Sequence, residues 1–373
     1  MERSITVLEV VAILFGSTVG VGVLAAPRLA VDAGGTGAPL VSLIGVLIAM
    51  AGAALVTILG MRFPGESIAI YGQRIIGKWP AGLMSVIVAG YFAVLTALSA
   101  REFGKVAVVA ALQKTPTEVT TLVMIVLVAI SARNSIKTFS YIHLFYFPLA
   151  MAPVAIITIL SLKNADYLYL QPIFGTKSIG SMLYGSATIA ALLQGGFILT
   201  IILAAVRRPT KAMKATLIGM GLAGSVYVFT MMAALAVFGP EEMKLLYWPT
   251  LELAKTTMLP GEVLERLDAI FISVWVIAVF TSIYSTFYIT IEAVRQAVGL
   301  HDSRMLSFPF AAAIFLIAML PPNIVQLYRL IMMAGQYGLI LTFGYPLVLW
   351  MVAVVRGIRG VGLTERNTRQ AKS

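Results

Sequence analysis

The stretch GSTVGVG, Gly16 to Gly22, sets three glycines and two hydroxyls inside an apolar run, with VVAILF before it and VLAAP after it. A second stretch, LLQGGF at Leu192 to Phe197, sets an amide and two glycines inside another. In hydrocarbon every backbone N–H and C=O must be paired unless it lines a cavity within protein. Gly16, Gly20 and Gly22 make unwinding inexpensive. Ser17 and Thr18 can bond freed backbone groups locally, and Pro27 removes a further donor. The chemistry on offer is that of backbone poles. A helix restarting at Val23 presents free N–H groups and the positive end of its dipole, which suits a carboxylate. A helix interrupted at Gln194, Gly195 and Gly196 offers carbonyls, which suit an ammonium group. Opposite poles without an ionised side chain in either break suit a zwitterionic amino acid. Gly16-xxx-Gly20 is equally a helix-packing motif, so this spacing alone leaves pocket and packing open.

Other residues join these breaks as candidates for the ligand site. Phe197 closes the second stretch. Tyr91 and Leu95 are one helical turn apart and either shape the pocket or pack against neighbours. Thr281, Ser282, Tyr284 and Ser285 crowd hydroxyls into mid-membrane sequence, where they either bond the preceding turn or line a cavity. Arg101, Glu102 and Lys105 must pair, reach the interface or face water. Arg101 and Lys105 share a helix face and Glu102 does not, and the group reads as a structural or subunit contact near the outer interface. His143 is either a hydrogen-bonded packing histidine or a proton-sensitive gate. His301 reads as solvated, and Pro148 and Pro153 as kinks. Two histidines and no cysteine argue against a metal site and a disulfide framework. No phosphate loop, nucleophile elbow or paired acid site is present, so the expectation is no enzyme and no cofactor.

The elements that must position these residues are membrane helices. The chain of 373 residues is 60% hydrophobic and 12% charged, with a mean hydropathy of +0.95. A soluble domain cannot hide that much apolar surface. Windows of about 20 apolar residues fall near 6–30, 39–61, 81–109, 118–132, 138–162, 182–206, 212–238, 266–296, 306–321 and 325–355. The runs are continuous rather than alternating, which excludes a membrane β-barrel. Gly239 to Glu265 reads as a loop with one interfacial helix. The net charge of +11 would suggest nucleic acid in a soluble protein. Here the bases gather between alternate windows, as at Arg62, Arg74 and Lys78 or Arg207, Arg208, Lys211 and Lys214. That asymmetry places both termini in the cytoplasm. The N-terminus carries no cleavage-site pattern. The two interrupted windows are first and sixth, which correspond if the chain is two five-helix halves, the second inverted. Such matched interruptions point to a transporter-type site.

The quoted residues carry a resemblance. GSTVGVGVLAAPRLAVDAGGTGAPLVSL, FPGESIAIYGQRIIGKWPAGLMSV and LSAREFGKVAVVAALQKTPTEV, with Arg101, Glu102, Phe103, Thr115 and Pro116, resemble the spore germination permeases, the B subunits of germinant receptors (GerAB type). SARNSIKTFSYI and LKNADYLYLQPIFG continue the likeness. It implies the amino-acid/polyamine/organocation transporter fold: all-α, ten transmembrane helices, a LeuT-like 5+5 inverted repeat with helices one and six discontinuous. The expected organisation is one permease domain over 1–373, with repeats near 6–162 and 182–321 plus helix ten. The resemblance implies a membrane-anchored A subunit and a lipoprotein C subunit as partners in the spore inner membrane. Three functions follow as expectations: a sensor of a small neutral amino acid, a proton- or sodium-coupled amino-acid transporter, and a channel or scaffold.

Overall fold

The computed structural model describes residues 4–175, 177–256 and 267–360. Among these, helices carry the fold, and extended pairing is confined to one isolated bridge, Ile5 with Val206. The first half comprises α1 (Val7–Thr18), α2 (Gly22–Gly34), α3 (Ala38–Arg62), α4 (Ile68–Ile76), α5 (Lys78–Ala110), α6 (Thr117–Ser131) and α7 (Ile136–Ser161). The second comprises α8 (Ile179–Leu192), α9 (Leu199–Ile202), α10 (Ala212–Leu245), α11 (Pro249–Thr256), α12 (Leu267–Val298), α13 (Arg304–Met319), α14 (Ile324–Leu339) and α15 (Tyr345–Val355).

Each apolar window of the sequence is occupied by helix. Among the described residues six helical stretches are long and apolar enough to cross a membrane, one of them running α2 into α3 (Gly22–Arg62) and another α14 into α15 (Ile324–Val355), and a seventh is the bent pair formed by α8 and the segment Gln194–Ala205. Val7–Thr18, Thr117–Ser131 and Arg304–Met319 are shorter apolar helices. The chain is an all-helical, multi-pass membrane protein. The loop expected over Gly239–Glu265 begins later than the sequence suggests. α10 continues to Leu245 through a kink at Gly239, whose φ of 69° only glycine adopts freely. The expected interfacial helix is α11. The remainder of that loop, the start of the eighth window and the bases Arg366, Arg369 and Lys372 lie outside the described residues.

Both expected interruptions are present. α1 ends with the Val19 N–H on the Phe15 carbonyl, and α2 reopens with the Leu24 N–H on the Val21 carbonyl. The amides of Gly20 to Val23 therefore stand between two ladders, as the first amides of any helix must. α8 stops at Leu192, tightens into 3₁₀ geometry over Gln194–Ile198, and bends by 47°.

The two interrupted segments lie antiparallel. At one end the Ile5 N–H donates to the Ala205 carbonyl at 3.1 Å, and the Arg207 N–H to the Ile5 carbonyl at 2.9 Å. At the other, the Ser181 hydroxyl donates to the Ala33 carbonyl at 2.8 Å. Around this pair α3 packs on α10, α5 on α12, and α6 on α13. Lipid tails are as apolar as leucine, so such interfaces gain from close approach rather than from leaving water. Gly45 sits against Ile189 and the Ser186 carbonyl, Gly219 against Leu14 and Gly224 against Val46.

The last apolar window is α14 and α15 joined by a π-helical turn, Ile340–Gly344. A π-turn inside a helix loosens the local ladder and often marks a functional position. This one lies beside Gln194, toward which Thr342 points its hydroxyl at 3.5 Å.

Candidate functional site

The site is built where the two breaks meet. A Cβ on Gly195 would overlap the Ser17 carbonyl and lie 2.8 Å from the Thr18 nitrogen. Backbone therefore crosses backbone, and only glycine permits it. Beside this crossing lies a cavity of about 80 Å³. At about 10–15 Å³ for the space one water takes, it admits about five to eight water-sized groups, the size of a small amino acid. Ser17, Thr18, Gly20, Val21 and Gly22 form one wall, and Leu192, Gln194 and Gly195 another. Leu95, Ser99 and Glu102 of α5 and Ser282 and Thr286 of α12 also border it, with further residues from α2, α8, α10 and α14.

The freed backbone groups have individual fates. The Gly16 carbonyl accepts from Thr281 Oγ1 at 3.1 Å, and the Thr18 carbonyl from the Tyr227 hydroxyl at 3.2 Å. In the second break the Ala190 carbonyl accepts the Leu193 N–H at 3.1 Å. The Gly196 carbonyl accepts the Leu199 N–H, and the Phe197 carbonyl accepts the Thr200 hydroxyl at 2.8 Å. Of the positive pole expected at the start of α2, Gly20, Val21 and Gly22 line the cavity, and among the described residues their amides take no backbone hydrogen bond outside the helix ladders. The carbonyl pole expected at Gln194–Gly196 is largely occupied by its own turn.

Of the sequence candidates, Ser17, Thr18, Gly20, Gly22, Leu95, Gln194, Gly195 and Ser282 line this cavity. The others surround it. Tyr91 donates its hydroxyl to Gln194 Oε1 at 2.5 Å, while Gln194 Nε2 donates to the Gly335 carbonyl at 2.7 Å. Gln194 is thereby fixed between α5 and α14, and Tyr91 stands behind it. Gly196 and Phe197 face a second, smaller space of about 30 Å³ with Ala53, Thr342 and Phe343, on the far side of Gln194.

Gly16, Thr281, Tyr284 and Ser285 belong to a buried joint centred on His143. His143 Nδ1 lies 2.9 Å from the Phe139 carbonyl and Nε2 lies 3.3 Å from the Thr281 carbonyl, so whichever nitrogen carries the proton has a carbonyl to accept it. Its Nε2 shares a hydrogen bond with Ser285 Oγ at 2.9 Å, and that hydroxyl meets Ser17 Oγ at 2.7 Å. The histidine is hydrogen-bonded and packed, with the Tyr284 ring stacked 5.8 Å away. It clamps the end of α1 to α12.

The charges on α5 divide. Arg101 is buried and pairs with Glu118 of α6 at 3.2 Å, an intramolecular contact. Glu102, also buried, turns the other way and lines the cavity, accepting the Tyr328 hydroxyl at 2.7 Å. No ionised side chain lies in either break, and this one reaches the cavity from α5, outside both. Adjacent helical residues point about 100° apart. Two neighbouring charges can therefore serve two different sites, and the sequence pair alone does not say which one faces inward. Ser99 and Glu102 lie one and two turns beyond Leu95 on its own face, a signal that extends the Tyr91–Leu95 stripe. Tyr227, Thr286 and Gly335 carry no comparable mark.

Comparison with known proteins places this architecture. A family model described as "Spore germination protein" matches residues 4–327. The chain is 24% identical over 322 residues to spore germination protein YndE of Bacillus subtilis (strain 168), covering 86% of this chain and 88% of that protein. It is 20% identical over 371 residues to spore germination protein B2 of the same strain, covering 97% and 98%. Spore germination protein A2 of that strain is 20% identical over 244 residues, covering 65% of this chain and 67% of that protein. With the family match running over most of its length, this chain belongs to the spore germination permease family.

Proposed function

We propose that this chain is the membrane subunit of a spore germinant receptor and that it binds a small neutral amino acid in the cavity beside its two crossing breaks. The observation that carries the reading is that cavity: it has the volume of a small amino acid, and the helix-start residues Gly20, Val21 and Gly22 border it. A carboxylate docks at Gly20–Val23, where the N–H groups and the helix dipole both favour negative charge. Leu95 and Ser282 limit the side chain. Binding biases a two-state membrane protein, and partner subunits read that state.

The topology that serves this function is a ten-span, LeuT-like 5+5 inverted repeat. The antiparallel contact of the first and sixth windows supports it, as do the pairings of second with seventh, third with eighth and fourth with ninth. Equivalent elements of two inverted halves meet in this way about a two-fold axis in the membrane. Both termini face the cytoplasm, the membrane is the spore inner membrane, and the partners are a membrane-anchored A subunit and a lipoprotein C subunit.

The test is equilibrium binding of glycine, alanine, valine, leucine and phenylalanine to the purified chain, followed by uptake in vesicles. Saturable binding of the small members without uptake supports the sensor. Uptake of the same members makes the site that of a coupled transporter. Binding of none of them refutes the reading.

A further inference from the structure

We propose that Glu102 anchors the ammonium group of the ligand and that Tyr328, which now donates to Glu102, is the group the ammonium displaces. The inference rests on the amino-acid reading above and names the residue that makes an amine necessary.

Among the described side chains lining the cavity, Glu102 is the one carboxylate, and no lysine, arginine or histidine lines it. A buried carboxylate at membrane depth demands a partner. The partner present is a tyrosine hydroxyl, 2.7 Å from Oε1. Among the described residues the second carboxylate oxygen takes no hydrogen bond. The carbonyls of the α8 break, the alternative seat for an ammonium group, are largely engaged with Leu193, Leu199 and Thr200. The cavity therefore sets the helix-start residues Gly20, Val21 and Gly22 against one acid on α5. An α-amino acid brings both complementary charges. A sugar brings neither, and a simple carboxylic acid only one.

Tyr328 is placed to yield. Trp248 Nε1 donates to its hydroxyl at 2.7 Å, so the tyrosine oxygen keeps a partner when its proton leaves Glu102. Its ring borders a neighbouring space of about 160 Å³, lined also by Arg28, Asp32 and Tyr247, which shares Leu29 and Met332 with the main cavity. Tyr247 lies against Tyr328, with ring centroids 6.5 Å apart, and beneath Arg28, 4.9 Å from its guanidinium carbon. Release of Tyr328 from Glu102 thus loosens the partition between the cavity and the adjoining space. Arrival of an amine in the one alters the wall of the other.

The experiment measures affinities of alanine and valine, and of their desamino analogues propionate and isovalerate, for the full chain and for Glu102→Gln and Tyr328→Phe. In the first variant the side-chain amide still accepts from Tyr328 but carries no charge. Hydrogen bonds to charged groups set the scale, so Glu102→Gln should weaken the amino acids about tenfold to a hundredfold and leave the desamino acids unchanged. Tyr328→Phe removes the competing donor, keeps the ring, and should tighten the amino acids without affecting the desamino acids. Glu102→Gln that leaves amino-acid binding unaltered, or weakens acids and amino acids alike, overturns the anchor while the amino-acid reading stands. Should Glu102→Gln fail to assemble, unchanged or weaker amino-acid binding by Tyr328→Phe overturns it. A wild-type chain that binds none of the amino acids overturns both.

Discussion

Replacement of Gly195 by alanine is the sharpest perturbation of the crossing. The added methyl would overlap the Ser17 carbonyl and approach the Thr18 nitrogen to 2.8 Å, against ordinary contacts of about 3.5 Å or more. The obstacle is backbone, so no rotamer change relieves it. One break must move away from the other by about an ångström or more. Overpacking of this kind costs about 1–3 kcal/mol, while restored helical propensity returns at most about 1 kcal/mol. The displaced backbone is also the cavity wall, so ligand affinity should fall at least about tenfold even in protein that assembles. The control is Gly221→Ala on α10, where a Cβ meets nothing within 4 Å. That variant should be at least as stable as the wild type and bind normally. The assay is thermal unfolding of detergent-purified protein alongside alanine binding. Gly195→Ala with the wild-type melting temperature and wild-type affinity would refute the backbone crossing.

Further perturbations address the rest of the site. Gly20→Ala drives a methyl to 2.7 Å from Ser282 Cβ, so it should lower alanine binding, and adding Ser282→Gly should restore it; a double variant no better than the single would show that Ser282 is not the obstacle. Leu95→Phe narrows the cavity from α5 and should abolish binding of the largest accepted amino acid first, and an unchanged ranking across the amino-acid series would place Leu95 outside the pocket. Ser285→Ala removes the hydroxyl joining Ser17 to His143, and leaving those buried groups short of a partner should cost about 1–3 kcal/mol of stability, read as a lower melting temperature; an unaltered melting curve would show that the joint does not hold α1 to α12.

Much of this was legible in the residues, because membrane segments are written in a simple physical code. Glycines and hydroxyls inside apolar runs mark where a helix cannot hold its ladder, and both breaks fall at those residues. Close approach was legible as possibility but not as partner: nothing in GSTVGVG says that Gly20 faces Ser282, or that Gly195 faces Ser17, since those pairings join windows far apart in the chain. Glu102 shows the same limit. Its neighbour Arg101 draws it toward an ion-pair reading, whereas its helix face and its contact with Tyr328, 226 positions away, make it a cavity residue. Phe197 sits in the break as the pattern suggests, yet the 3₁₀ turn rotates it to the far side of Gln194. The extension of α10 past Pro240 was hidden because proline and glycine read as a stop, while the chain instead kinks at Gly239 and begins a new helical stretch.

The central claim is that the space beside the crossing breaks is the ligand site, and the natural chain offers a direct way to probe it, since it contains no cysteine. Single variants Ser99→Cys and Thr188→Cys place a thiol on the cavity wall, and Phe145→Cys places one on the outer surface, where that residue is 68% exposed. The measurement is the rate of thiol modification by a small methanethiosulfonate reagent with and without a saturating neutral amino acid that the wild-type chain binds. The account predicts slower modification at residues 99 and 188 and an unchanged rate at 145. Unchanged rates at all three positions, in variants that still bind the amino acid, would place the ligand elsewhere and contradict it.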